Sequence, residues 1–201
     1  MARLTKTHVV TDFRRSQILD AARVTMARHG LARTTVDQIA RAANVAKGTI
    51  YLYYRSKAAI VRDALDEGLA ALEAATVPAI EAPGTIDEKL HRFLSGMLGH
   101  FDRHRDFVEL CQFELGVEMR QHARQTFGRI YAAQTQAWER VLRSASGRKA
   151  IAGLPPRHTS LVLVGLAHGL AIQRLRGWTD LSIESEAAHA TVMIWKGLRR
   201  Q

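Results

Sequence analysis

The chain has 201 residues, of which 47% are hydrophobic and 24% charged, with four prolines and one cysteine. That is enough apolar mass for a buried core, and it excludes both a disordered chain and a disulfide-stapled one. The formal charge of +10 is concentrated: residues 1–62 hold twelve Lys and Arg against three Asp, a net +9, and the rest carries +1. A basic head on a near-neutral body reads as a polyanion-binding module joined to something else, against the plainer reading of a surface kept basic for solubility.

The start, Met1 to Phe13, is mixed and polar, without the apolar stretch of a secretory signal. The longest apolar run, Leu161 to Ile172, is interrupted by His168 and is too short to span a bilayer. The expectation is a cytoplasmic protein with no membrane partner.

A basic arm, residues 1–12, precedes a first helix from Phe13 to His29, with Ile18, Leu19, Ala22 and Met26 on one face. Gly30 stands where a C-terminal glycine belongs. Thr35-Val36-Asp37-Gln38 has the form of a capping box, opening a short helix with Val36, Ile39, Ala40 and Ala43 inward. Asn44 tolerates a turn, and a third short helix runs from Ala46 to Tyr53, held by Val45 and Ile50. A longer helix starts near Ser56 and carries Ile60, Val61, Ala64, Leu65, Leu69 and Leu72, until Pro78, Pro83 and Gly84 break the pattern. A second capping box, Thr85 to Glu88, opens a helix with Leu90, Phe93, Leu94, Met97, Leu98 and Phe101 on its stripe. A segment from Asp106 to Leu115 follows, then a long helix from Met119 to Ser144, a loop to Pro156, and helices over Arg157–Arg176 and Ile183–Arg200. No strand alternation appears, so the fold class is all-α: an N-terminal three-helix domain, 1–55, followed by a helical bundle, 56–201.

Two short helices joined by a tight turn form a helix-turn-helix, whose second helix enters the major groove of DNA. The chemistry of residues 34 to 57 fits that use. Thr34 and Thr35 lie at a helix start, where free amides favour a phosphate. Lys47 and Thr49 begin the recognition helix, and Gly48 has no side chain to hinder close approach. Tyr51, Tyr53 and Tyr54 are polar-tipped aromatics suited to phosphate or sugar, although at least one is expected to be packing. Lys57 begins the next helix and can hold the DNA backbone again.

The segment from Ile18 to about Val61 resembles the TetR family of bacterial transcriptional repressors. The resemblance rests on Ile18 to Ala22, His29-Gly30, Thr34 to Ala40, Ala43 to Val45, Lys47 to Tyr51, Tyr53-Tyr54 and Ser56-Lys57, all in register, over about a quarter of the chain. It implies a homodimer, a ligand pocket in the body, and release of a pseudo-palindromic operator on ligand binding. By position it places Thr35, Lys47, Thr49, Tyr51, Tyr53 and Lys57 at the double-stranded DNA. Leu52 departs from the pattern, since the family often has an aromatic there.

Other constellations are weaker. His100 and His104 share a helix face, yet no Glu stands between them and no third metal ligand is evident, so the pair reads as solvated residues at a helix end. His168 is either a satisfied core histidine or a polar group in a seam or pocket, the former being the more common case. In the body, Phe93, Met97, Phe101, Gln112, Tyr131, Gln134, Trp138 and His168 are candidates to line a pocket for a small hydrophobic or amphipathic effector, with ordinary core as the alternative. Nothing in the sequence calls for a catalytic residue, a metal or a cofactor. The last two helices are expected to form the homodimer seam, because Leu161 to Ile172 is apolar nearly all round and its Gly165, Ala167, Gly169 and Ala171 let helices approach closely. The rival readings are a constitutive, nucleoid-organising DNA binder without effector, and an enzyme built around His100 and His104.

Overall fold

A computed structural model describes residues 6–113, 115–144, 151 and 153–198, the side chains of 6–10 and 110–113 excepted. Its helices are α1 (Lys6–His29), α2 (Val36–Ala42), α3 (Lys47–Tyr53), α4 (Lys57–Glu81), α5 (Ile86–Arg103), α6 (Arg105–Phe113), α7 (Val117–Arg143), α8 (Pro156–Leu175) and α9 (Ile183–Leu198). The architecture is all-α. No helix among the described residues is long and apolar enough to cross a membrane. The chain forms two compact units: one runs through Gly68 and takes in Asp106–Ala123, and the other comprises Leu69–Arg105 and the residues from Arg124 on.

The first unit is built on local signals. Ile18, Ala22 and Met26 of α1, Ile39 of α2, Ile50 of α3 and Ile60 of α4 are fully buried in one cluster, to which Phe107 and Leu115 also belong. Both halves of the Thr35–Gln38 box form: Gln38 N donates to Thr35 Oγ1 (3.3 Å), and Thr35 N donates to Gln38 Oε1 (2.7 Å). Gly30 closes α1 at φ 78°, and Asn44 makes the α2–α3 turn at φ 53°, the left-handed region that glycine and asparagine adopt most easily. The helix α1 starts at Lys6, so residues 6–12 of the expected arm are helical.

In the second unit, α5 packs against α8 and α9. Phe93, Leu94, Met97, Trp138, Leu142 and Val164 are fully buried. Gly96 lets α5 press against the α4 backbone: a Cβ there would stand 2.4 Å from the carbonyl oxygen of Ala75. The expected break at Pro78 does not occur, and α4 continues through it to Glu81. A proline inside a helix forfeits one hydrogen bond, but here the helix is almost finished. Ala82 N still donates to Pro78 O (2.8 Å), and the Lys89 ammonium caps the last turn by donating to the carbonyls of Ile80 and Ala82. Gly84, at φ 136°, then redirects the chain into α5, whose Thr85–Glu88 capping box is complete.

Candidate nucleic-acid interface and the body cluster

The helix α3 has seven residues and two unlike faces. Ile50 is fully buried and Tyr54, just past its end, is 2% exposed, so these two anchor a helix that could not persist alone. The opposite face presents Lys47, Gly48, Tyr51 and Leu52 to solvent. Lys47 Nζ lies 2.9 Å from Oδ2 of Asp37 on α2, with both side chains about half exposed. The carboxylate raises the Lys47 pKa, chiefly through this hydrogen bond, so the cation is charged at any physiological pH. Thr49 and Tyr53 flank the outward face and are partly buried, Tyr53 packing against the core.

Two of the expected DNA contacts lie elsewhere. Thr34 is 1% exposed, and its hydroxyl donates to Gly30 O (2.8 Å), so it closes the α1–α2 turn from inside. Lys57 Nζ donates to Leu31 O and Thr34 O, both at 2.9 Å, and so clamps the same turn onto the start of α4. Both residues position Thr35, whose side chain is at the surface in the α2 cap.

In the second unit, Phe101, Tyr131, Gln134 and His168 come together with Phe127. The His168 ring centroid lies 4.9 Å from that of Phe127, 5.5 Å from Tyr131 and 6.3 Å from Phe101. Gln134, fully buried, donates from Nε2 to Thr76 Oγ1 (2.8 Å), and its Oε1 lies 3.0 Å from His168 Nε2, which therefore carries the donated proton. Burial pushes the His168 pKa down to about 4, so the imidazole is neutral at pH 7. Phe93, Met97 and Trp138 are fully buried core, with Phe93 meeting Trp138 edge-on at 5.8 Å, and Trp138 Nε1 has no hydrogen-bond partner among the described residues. The Gln112 side chain lies outside the described residues. A separate pocket of about 660 Å³, lined by Glu81, Lys89, Arg140 and Trp195 among others, includes none of the expected ligand residues.

His100 is not solvated. It is 4% exposed, because it lies seven residues from Phe93 and so shares that buried side of α5. Its pKa falls to about 4, through burial and then the nearby His104 and Arg103. The His100 and His104 rings are 4.6 Å apart, but no group of three or more metal-binding side chains gathers among the described residues.

Residues 18–64 match the sequence model of the bacterial regulatory proteins of the TetR family. The match covers the head, about a quarter of the chain, and makes that head similar to the DNA-binding segment of the family. Among curated relatives, an uncharacterized helix-turn-helix transcriptional regulator of Bacillus subtilis, YhgD, is 29% identical over 99 residues, which are 49% of this chain and 52% of that protein. The fatty acid metabolism regulator protein of the same organism is 32% identical over 108 residues, 52% of this chain and 56% of that protein. The chain thus spans about half the length of each. The solved structure of the transcriptional regulator FadR from Bacillus subtilis, in complex with stearoyl-CoA, superposes with a TM-score of 0.70 at 21% identity, covering 92% of this chain and 99% of that one. It shares the fold.

Parts of the head were not legible in the sequence. Arg15 donates to Asp63 (2.8 Å) and lies over the Tyr54 ring, 5.2 Å from its centroid, while Arg23 pairs with Glu67 and Asp20. These arginines therefore hold α1 to α4 as well as adding to the basic footprint. Asp63, Asp66 and Glu67, just past residue 62, belong to the same unit and offset part of its positive charge. Gln17 Nε2 donates to Ala43 O (2.9 Å) and fixes α1 to the end of α2. The spacing of Arg15, Gln17 and Arg23 along one helix was the available signal, but their partners lie 26 to 48 residues away.

Proposed function

We propose that the protein is a homodimeric transcriptional repressor. It binds a pseudo-palindromic DNA duplex through residues 1–55 of each copy and is released by an amphipathic ligand held within residues 56–201. The observation that carries this reading is the outward face of α3, where Lys47, Gly48, Tyr51 and Leu52 stand exposed on a helix anchored only from behind. A helix so presented fits the major groove, and two heads related by a dimer axis ask for half-sites about one helical turn, or a multiple of it, apart. Such a protein works in the cytoplasm and is not an enzyme.

Dimerisation is supported by apolar side chains left at the surface of α8 and α9. Leu161, Val162 and Leu166 are 41–46% exposed, while Val192 and Met193 are 50% and 75% exposed. The exposed positions on α8 recur at the spacing of a single helix face, with Gly165 and Gly169 between them. Ligand binding is supported by the aromatic ring around His168 and by the buried indole N–H of Trp138, which has no partner among the described residues. A fatty acid metabolism regulator and a stearoyl-CoA complex among the similar proteins make long-chain acyl thioesters the first class to try.

The test begins by selecting duplexes from a random library with the full chain. Stearoyl-CoA, shorter acyl-CoAs and the free acids are then titrated into the complex. A coupling of about 1–3 kcal/mol would weaken operator binding some 5–150-fold. A thioester that binds the protein and leaves operator affinity unchanged removes acyl release from the reading. Selection that yields no common sequence removes the specific regulator altogether and leaves a nonspecific DNA binder.

A further inference from the structure

Resting on the reading that α3 enters the major groove, we infer that Leu52 is a base-reading residue and that its target is the 5-methyl group of a thymine. Leu52 is 82% exposed, more than any other described large hydrophobic side chain of α1, α2 and α3. It touches no part of the core: Ile50 and Tyr54 bury the other side of the helix, and Leu52 shares the outward face with Lys47 and Tyr51. A leucine gains nothing from water, whereas contact with another apolar group removes both surfaces from it. The major groove offers one such group, the thymine methyl, at a position that differs for each base pair.

Gly48 supplies a second, independent observation. It precedes Leu52 by four residues, so the two are neighbours on one helix face. Its φ is not positive, and a Cβ added to it would meet nothing within 4 Å. Neither backbone conformation nor packing in the free protein requires a glycine there. The missing side chain instead leaves the space beside Leu52 open on the outward face, where a base edge can approach. Lys47, paired with Asp37 in the free protein, and Tyr51 are polar-tipped neighbours that can hold phosphate or a purine edge, and Leu52 adds a contact with no hydrogen bond in it.

The experiment is a methyl-deletion scan. Each thymine in the selected duplex is replaced in turn by deoxyuridine, which pairs identically and lacks only the methyl group. Affinities of the wild-type protein and of Leu52→Ala are measured for every duplex. At one thymine per half-site the wild type should lose about fourfold in affinity, the equivalent of one buried methyl group. Leu52→Ala should be indifferent to that replacement while still responding to the rest of the sequence. Alanine favours helix and position 52 is exposed, so folding is not at risk, and an unchanged melting curve checks this. If Leu52→Ala keeps the same uridine profile as wild type, or lowers affinity for all duplexes equally, the leucine reads no methyl and the inference fails. If no specific duplex emerges, the reading of α3 fails with it. Specific binding that depends on Lys47 without any uridine effect overturns the inference alone. Gly48→Ala provides a check from the other side: it should leave the fold intact, with a melting temperature equal to or slightly above that of the wild type because alanine favours helix over glycine, and abolish the wild-type response at the same thymine.

Discussion

Lys47 Nζ sits 2.9 Å from Asp37 Oδ2, so the cation at the front of α3 is held by a carboxylate in the free protein. The pair is open to water, where ion pairs are weak and salt-screened. On the proposed reading, Asp37 also lies on the side that would meet phosphate, and its charge would repel it. Replacing Asp37 by Asn should therefore raise affinity for any duplex a few-fold at low salt, with the gain shrinking as salt rises. Titrations of specific and random duplexes at several salt concentrations measure this. An affinity unchanged or reduced at low salt would mean that Asp37 organises Lys47 for binding.

Lys47 and Lys57 should behave differently when removed. Lys57 satisfies carbonyls of the 31–34 turn. Its loss to Met should lower stability by about 1 kcal/mol, since partly buried acceptors lose a charged donor. It should weaken DNA binding only through displacement of Thr35. Lys47→Ala should leave the urea midpoint in place, cut affinity for the selected duplex by about tenfold, and alter which bases are preferred. Urea melts and binding curves on both variants separate the two roles.

The difference between these lysines marks where the sequence stopped being readable. The Thr35–Gln38 box, the Asn44 turn and the Ile50 anchor are short-range features, governed by residues within four positions of each other, and they stand in the structure as expected. Which of two adjacent threonines faces in is not short-range. It depends on Lys57, which arrives from α4 and donates to the Leu31 and Thr34 carbonyls. Likewise Arg15 looks like a DNA-facing cation until Asp63, 48 residues on, is placed beside it. His100 looked solvated because its neighbours His104, Arg103 and Asp102 are polar, whereas the register of α5 carries it to the buried side. Pro78 misled for the opposite reason: a strong local signal was outweighed by packing, since Leu72, Thr76 and Ile80 are buried on either side of it and hold the helix through the one lost hydrogen bond.

The exposed apolar faces of α8 and α9 give a test of assembly. Leu166→Glu or Met193→Glu puts a charge on a face that the monomer leaves in water, so neither should harm the fold. In a dimer built on that face, each would bury an unpaired carboxylate, at a cost of several kcal/mol per copy. Light scattering should then report a monomer at micromolar concentration, and operator binding should fall with the loss of the second head. Variants that remain dimeric and bind DNA normally would place the seam elsewhere.

Acid should destabilise the second unit through His100 and His168. Both are held neutral by burial, each with a pKa near 4 against an ordinary value of 6.5. Over the interval between those values the unfolded chain binds more protons than the folded one, so stability falls as pH drops from about 6.5 towards 4. Above pH 7 both states hold these groups neutral and the contribution is flat. The full shift corresponds to roughly 3 kcal/mol per histidine as an upper bound. For His168 the consequence is local as well. Its Nε2 proton already goes to Gln134 Oε1, and a second proton on Nδ1 would charge a ring packed among Phe101, Phe127 and Tyr131. His168→Gln keeps a donor for Gln134 and cannot titrate. In urea melts at pH 7.5 and 5 it should show a smaller loss of stability on acidification than the wild type. Cutting that loss by a third or more would assign the acid sensitivity to His168, and an unchanged pH dependence would mean that the ring is already open to water and protons at neutral pH.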